Sequence, residues 1–81
     1  MVTLKLPRKV HYKDVWKVLA KKGFEPISRV GSHIEFYRPR QSVDDLDRYV
    51  TLVCHKQIRV GTFKNIIRRS GIPIEEFLEL L

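Results

Sequence analysis

Gly31-Ser32-His33 lies between two runs that read as β-strands, so the chain places a titratable imidazole directly after a tight turn. A free imidazole titrates at about pH 6.5 and can therefore supply acid and base forms near neutrality. A second histidine, His55, closes the next strand-like run, and Lys56, Arg59, Lys64, Arg68 and Arg69 follow it closely. Imidazole beside concentrated positive charge points to proton transfer on a polyanion. The whole chain agrees, with sixteen Lys plus Arg against nine Asp plus Glu and a net charge of +7. Such a balance favours nucleic acid or an acidic protein surface as partner.

Those groups need a scaffold, and 81 residues allow one small domain, 1–81, with a single layer of helix on sheet. Tyr12, Val15, Trp16 and Leu19 follow the i, i+3, i+4, i+7 rule and predict a helix that ends at Gly23, after which Phe24 folds back on the core. Phe24 to Val30 carries Pro26 and predicts an edge strand, where a missing backbone donor is tolerated. Gly31-Ser32 suits a two-residue type II′ hairpin turn. The second strand, His33 to Arg38, alternates, with Ile34 and Phe36 inward and His33, Glu35 and Tyr37 outward. A third strand, Arg48 to about Cys54, places Val50, Leu52 and Cys54 inward and Tyr49, Thr51, Val53 and His55 outward. If both strands stay regular, His33 and His55 share the outer face.

Pro39 to Asp47 reads as a mobile polar loop. Its three aspartates lack the EF-hand spacing and closing glutamate, so no metal site is assigned there. Gly61-Thr62 opens a further helix with Phe63, Ile66 and Ile67 inward and Lys64, Arg68 and Arg69 outward, ended by Gly71. Backbone amides at its start offer an anion site. Ile74, Phe77, Leu78 and Leu81 give a short last helix beginning near Pro73, with Glu75 and Glu76 in its first turn. The expected class is α+β: helix, three-stranded antiparallel sheet, helix, with the helices on one face and a short C-terminal helix.

The lone Cys54 excludes an intramolecular disulfide and a cysteine-based zinc site, and fits a reducing cytoplasm. The first ten residues lack the apolar core of a signal peptide, and no run approaches a membrane span. The expected location is the cytoplasm, and no cofactor is expected.

The ordered set Gly23-Phe24, Gly31-Ser32-His33-x-x-Phe36, Val50-Thr51-x-x-x-His55 and Gly61-Thr62-Phe63-x-x-Ile66 resembles the HicA family over roughly Tyr12 to Leu81. The resemblance implies a double-stranded-RNA-binding-domain-like fold, α-β-β-β-α. It also implies an mRNA interferase toxin that cuts RNA with the histidine of Gly-Ser-His, here His33, and a HicB-like antitoxin as partner. Two positions depart from the family pattern: Val53 stands where proline is usual, two residues before His55, and the 39–47 loop is long. Neither departure falls on His33 itself.

RNA carries its own nucleophile, the 2′-hydroxyl, so cleavage needs a base, an acid and positive charge, and no metal. His33 is the candidate catalytic residue. Gly31, Ser32, His55, Lys56, Arg59, Lys64, Arg68 and Arg69 are the candidate RNA contacts; His55 is equally a second acid/base or a structural anchor. Tyr37 and Tyr49 share the outer face and either stack on a base or pack at the core edge. His11 reads as a surface lead-in to the first helix. Two other classes fit the same charge: an RNA-binding module of the same fold that does not cut, and a docking domain for an acidic protein.

Overall fold

The computed structural model describes residues 6–81. Its order is α1 (Tyr12–Lys21), β1 (Glu25–Val30), β2 (His33–Arg38), β3 (Arg48–Val53), α2 (Val60–Ser70) and α3 (Ile74–Leu80). The strands form one antiparallel sheet in the order β1-β2-β3, the α+β arrangement expected from the sequence.

His11 starts α1: its Nδ1 accepts the Lys13 amide at 3.1 Å, so this residue is a helix cap and not a passive lead-in. Val15, Val18 and Leu19 are the fully buried positions of α1, with Tyr12 and Trp16 half-buried at the margins of the stripe. The helix ends as anticipated. Gly23 takes a φ of +88°, its amide reaches the Ala20 carbonyl at 3.2 Å, and the Phe24 amide reaches Leu19 at 3.0 Å. This reciprocal pattern is a Schellman cap, and it turns Phe24 into the core at 2% exposure.

The strand alternation places Ile34, Phe36, Val50 and Leu52 under the sheet. Phe63, Ile66 and Ile67 of α2 and Phe77 of α3 complete the core with α1. Trp16 packs edge-on against Phe36 with centroids 5.0 Å apart, and Phe63 does the same to Phe77 at 5.6 Å. In α3, Leu80 packs against the core where Leu81 was expected, and Leu81 is exposed. β1 is an edge strand as read from Pro26, with a register shift between Pro26 and Ser28 and all six residues exposed. Gly31 has a φ of +59° and no other residue type in the described chain takes positive φ, which fits a II′ turn closed by the Val30–His33 pair.

The same alternation carries Arg38 and Arg48, cross-strand partners, to the inner face at the far end of the sheet. Arg38 is 7% exposed, and its guanidinium lies over the Phe24 ring at 5.2 Å. Its charge is answered by the loop. Asp45 Oδ2 accepts Arg38 Nη2 at 3.2 Å and the Gln41 amide at 3.0 Å, while Oδ1 accepts the Leu46 amide at 2.8 Å and lies 3.7 Å from Arg48 Nη2. Asp47 Oδ1 accepts the Arg40 amide at 2.8 Å. The expectation of a mobile loop is therefore corrected: Asp45 pins 39–47 to the sheet by answering the two buried-side arginines, and Asp47 braces the loop internally through the Arg40 amide.

The amides of Gln41 and Leu46, and after them the guanidinium groups of Arg38 and Arg48, hold the Asp45 carboxyl below the usual carboxylate range. A folded-state pKa lowered in this way adds stability that is fully present above the unfolded value of about 4 and is lost as pH falls through the folded value. Thermal melts are therefore expected to give a Tm that declines below about pH 4. In Asp45→Asn the Tm is lower at pH 7 and its acid-side decline is shallower. An unchanged acid limb in the variant contradicts this role.

Candidate active site

The start of β2 borders an open cleft of about 300 Å³ lined by His33, Val53, His55, Gln57, Ile58, Arg59 and Thr62. His33 is exposed and stands on the first residue after the hairpin turn, where the ladder fixes its backbone. Val53 is its cross-strand partner. The departure from the usual proline thus lies directly across from His33 and forms an apolar wall of the cleft, closer to the imidazole than its sequence separation suggests.

His55 arrives by a different route from the one the alternation predicted. β3 ends at Val53, and the His55 amide bonds to the Val53 carbonyl at 2.8 Å, a three-residue turn that takes the chain out of the ladder. Three further bonds set the path of this segment. The Cys54 amide reaches the Ser32 carbonyl at 2.7 Å, the Tyr12 amide reaches the His55 carbonyl at 3.2 Å, and the Ile58 amide reaches Val10 at 2.7 Å. The two imidazoles still meet at one cleft, because this strap is tied both to the hairpin turn and to the start of α1.

Gly31 and Ser32 act on the site through the backbone. Gly31 supplies the positive φ and its carbonyl accepts Arg29 Nε at 3.0 Å, while Ser32 offers its carbonyl to Cys54. Arg59 lines the cleft and is also the N-cap of α2, where it provides no side-chain acceptor; the first turn holds no acidic residue. The opening amides of α2 have no capping side chain, and Arg59 and Thr62 at this helix start border the cleft, a setting that favours an anion. Lys56 is exposed on the strap. Lys64 and Arg68 line a separate shallow depression of about 260 Å³ with Gly61 and Asn65, and Arg68 Nη2 donates to Asn65 Oδ1 at 2.8 Å. Arg69 is exposed on α2 but borders neither hollow. Thr62, marked in the sequence through the Gly61-Thr62 helix start, also lines the cleft, as does Gln57, which no sequence signal marked.

Tyr37 and Tyr49 pack against each other at the opposite end of the outer face, with centroids 5.1 Å apart. Four residues of strand separate Tyr37 from His33, roughly 13 Å. Loss of water around it, then the nearby Asp47 charge, pushes the Tyr37 phenol above its ordinary pKa.

A larger cleft of about 460 Å³ lies at that far end, between the 39–47 loop and the start of α3. Its cations are paired, Lys22 with Glu76 and Arg38 and Arg48 with Asp45, while the Nε atoms of both arginines are buried without a partner among the described residues. The Arg48 guanidinium also packs on Gly71, where a Cβ would fall 2.4 Å from it. This region is a structural clamp. No group of three or more His, Cys, Asp or Glu able to hold a metal ion occurs among the described residues, and no helix there is long and apolar enough to cross a membrane.

The fold and the cleft define a small α+β domain with two exposed histidines and Arg59 bordering one open cleft. The family model of the HicA toxin of bacterial toxin–antitoxin systems matches residues 12–72, and the chain belongs to that family. Membership implies an antitoxin partner. A comparison with curated proteins gives no match.

Proposed function

We propose that this toxin is a metal-independent endoribonuclease that cleaves mRNA through proton transfer by His33, and that a HicB-like antitoxin silences it by covering the cleft. The observation that carries this reading is the exposed His33 imidazole on a fixed strand end, in a cleft that also holds Arg59 and the uncapped start of α2. The 2′-hydroxyl of RNA supplies the nucleophile. His33 removes its proton as base, or in protonated form protonates the leaving 5′-oxygen, a contribution of about 10² to 10⁴ in rate. Arg59 and the α2 amides stabilise charge gathering on the phosphate, as preorganised donors do. Lys56 contacts the RNA beside His55 at the cleft and Lys64, Arg68 and Arg69 along α2, while Gly31 and Ser32 shape the turn beneath it. With mRNA as substrate and one half-buried cysteine, the cytoplasm is its place of action.

Purified protein is expected to cut single-stranded RNA in EDTA, leaving 2′,3′-cyclic phosphate and 5′-hydroxyl ends. Binding without cleavage selects the alternative, a non-catalytic RNA-binding module. Affinity should fall linearly on a log–log plot against salt, with a slope of about −0.7 per phosphate neutralised on a single strand. Arg59→Ala and Lys64→Ala should each flatten that slope by roughly 0.7. A slope unmoved by either variant removes those residues from the interface.

A further inference from the structure

We infer that His55 is the second catalytic proton-transfer group, acting opposite His33; this rests on the endoribonuclease reading above. Attack by the 2′-oxygen and departure of the 5′-oxygen occur roughly in line on opposite sides of phosphorus. One imidazole reaching one of these oxygens is poorly placed to reach the other in the same step, so a second group is needed. The polar side chains lining the cleft are His33, His55, Gln57, Arg59 and Thr62. A guanidinium does not give up its proton, and an amide and an alcohol do not titrate near neutrality. The composition of the lining leaves His55 as the partner.

The backbone supports this assignment. The Cys54-to-Ser32 hydrogen bond ties the His55 segment to the hairpin that carries His33, and the His55-to-Val53 and Tyr12-to-His55 bonds fix it against the end of β3 and the start of α1, all 2.7 to 3.2 Å long. Such anchoring holds two reacting groups in fixed relation. Both rings are exposed to solvent, whereas His11 is engaged in capping α1. In the step itself, one imidazole takes the 2′-hydroxyl proton as the 2′-oxygen–phosphorus bond forms. The bond from phosphorus to the 5′-oxygen breaks, and the other ring, as imidazolium, gives its proton to that oxygen. The products are a 2′,3′-cyclic phosphate and a 5′-hydroxyl, and exchange with water restores both rings.

The test compares wild type, His33→Ala and His55→Ala on a short RNA and on the same RNA with sulfur at the bridging 5′ position of the scissile bond. A thiolate leaves without being protonated. On ordinary RNA, His55→Ala is expected to lose about 10² to 10⁴ in kcat with little change in RNA affinity. On the sulfur-bridged RNA, one of the two variants regains most of its rate and the other does not, which identifies the acid. Circular dichroism checks the fold, and His55→Gln replaces the alanine variant if that one unfolds. A His55 variant that cleaves ordinary RNA within threefold of wild type overturns the inference, as does one that is slow on both substrates with weakened binding, the behaviour of a phosphate contact. Wild type that cuts neither substrate overturns the nuclease reading itself, a distinct outcome.

Discussion

His33→Ala is expected to abolish transcript cleavage and growth arrest on induction while leaving the fold and RNA affinity intact. The size of the loss follows from removing one proton-transfer group, about 10² to 10⁴ in rate. The fold should survive because His33 is exposed and its backbone, not its ring, closes the hairpin with Val30. Growth and transcript integrity, read together with a salt titration of RNA binding, check each part. Equal cleavage by the variant rejects the role of His33, and loss of binding in proportion to activity turns it into a contact residue.

The largest expected effect on stability comes from Phe36→Ala. Phe36 is fully buried, stands at the centre of β2, and receives the edge of Trp16. Truncating a buried phenylalanine costs about 3 to 5 kcal/mol. An 81-residue chain holds a total of only about 4 to 12 kcal/mol. At this size each kcal/mol is worth about 4 to 8 °C, so Tm should fall by roughly 12 to 40 °C. Calorimetry measures it, and a fall of only a few degrees means that the core closes over the gap. Activity at low temperature should persist in whatever fraction remains folded, which separates this variant from His33→Ala.

Where local chemistry decides structure, the sequence was legible. Gly23 and Gly31 announce a helix end and a hairpin because their positions need positive φ, and the buried positions of β2 and α2 follow their own periods. His55 borders the same cleft as His33, but not through the strand alternation that was expected to put both on the outer face. The alternation was carried past Val53, whereas β3 stops there in a turn that no glycine or proline marks and that contacts from Ser32 and Tyr12 determine. The 39–47 loop failed similarly. Its order depends on Arg38 and Arg48, ten residues apart in sequence and made neighbours only by strand pairing, so nothing within the loop itself reveals that Asp45 has a partner. Arg69, one of the basic run, lies on nearly the same face of α2 as Thr62 but two turns, roughly 10 Å, further along the axis, so it does not reach the cleft.

All six residues of β1 face water on one side of the sheet or the other, while the alternate residues of β2 are sealed beneath. The hairpin therefore has one arm bolted to the interior and one arm resting on it. Because His33 is mounted on the bolted arm, substitutions along Glu25–Val30 can accumulate without loosening its position. The outer arm is free to diverge in sequence without disturbing the strand that carries His33.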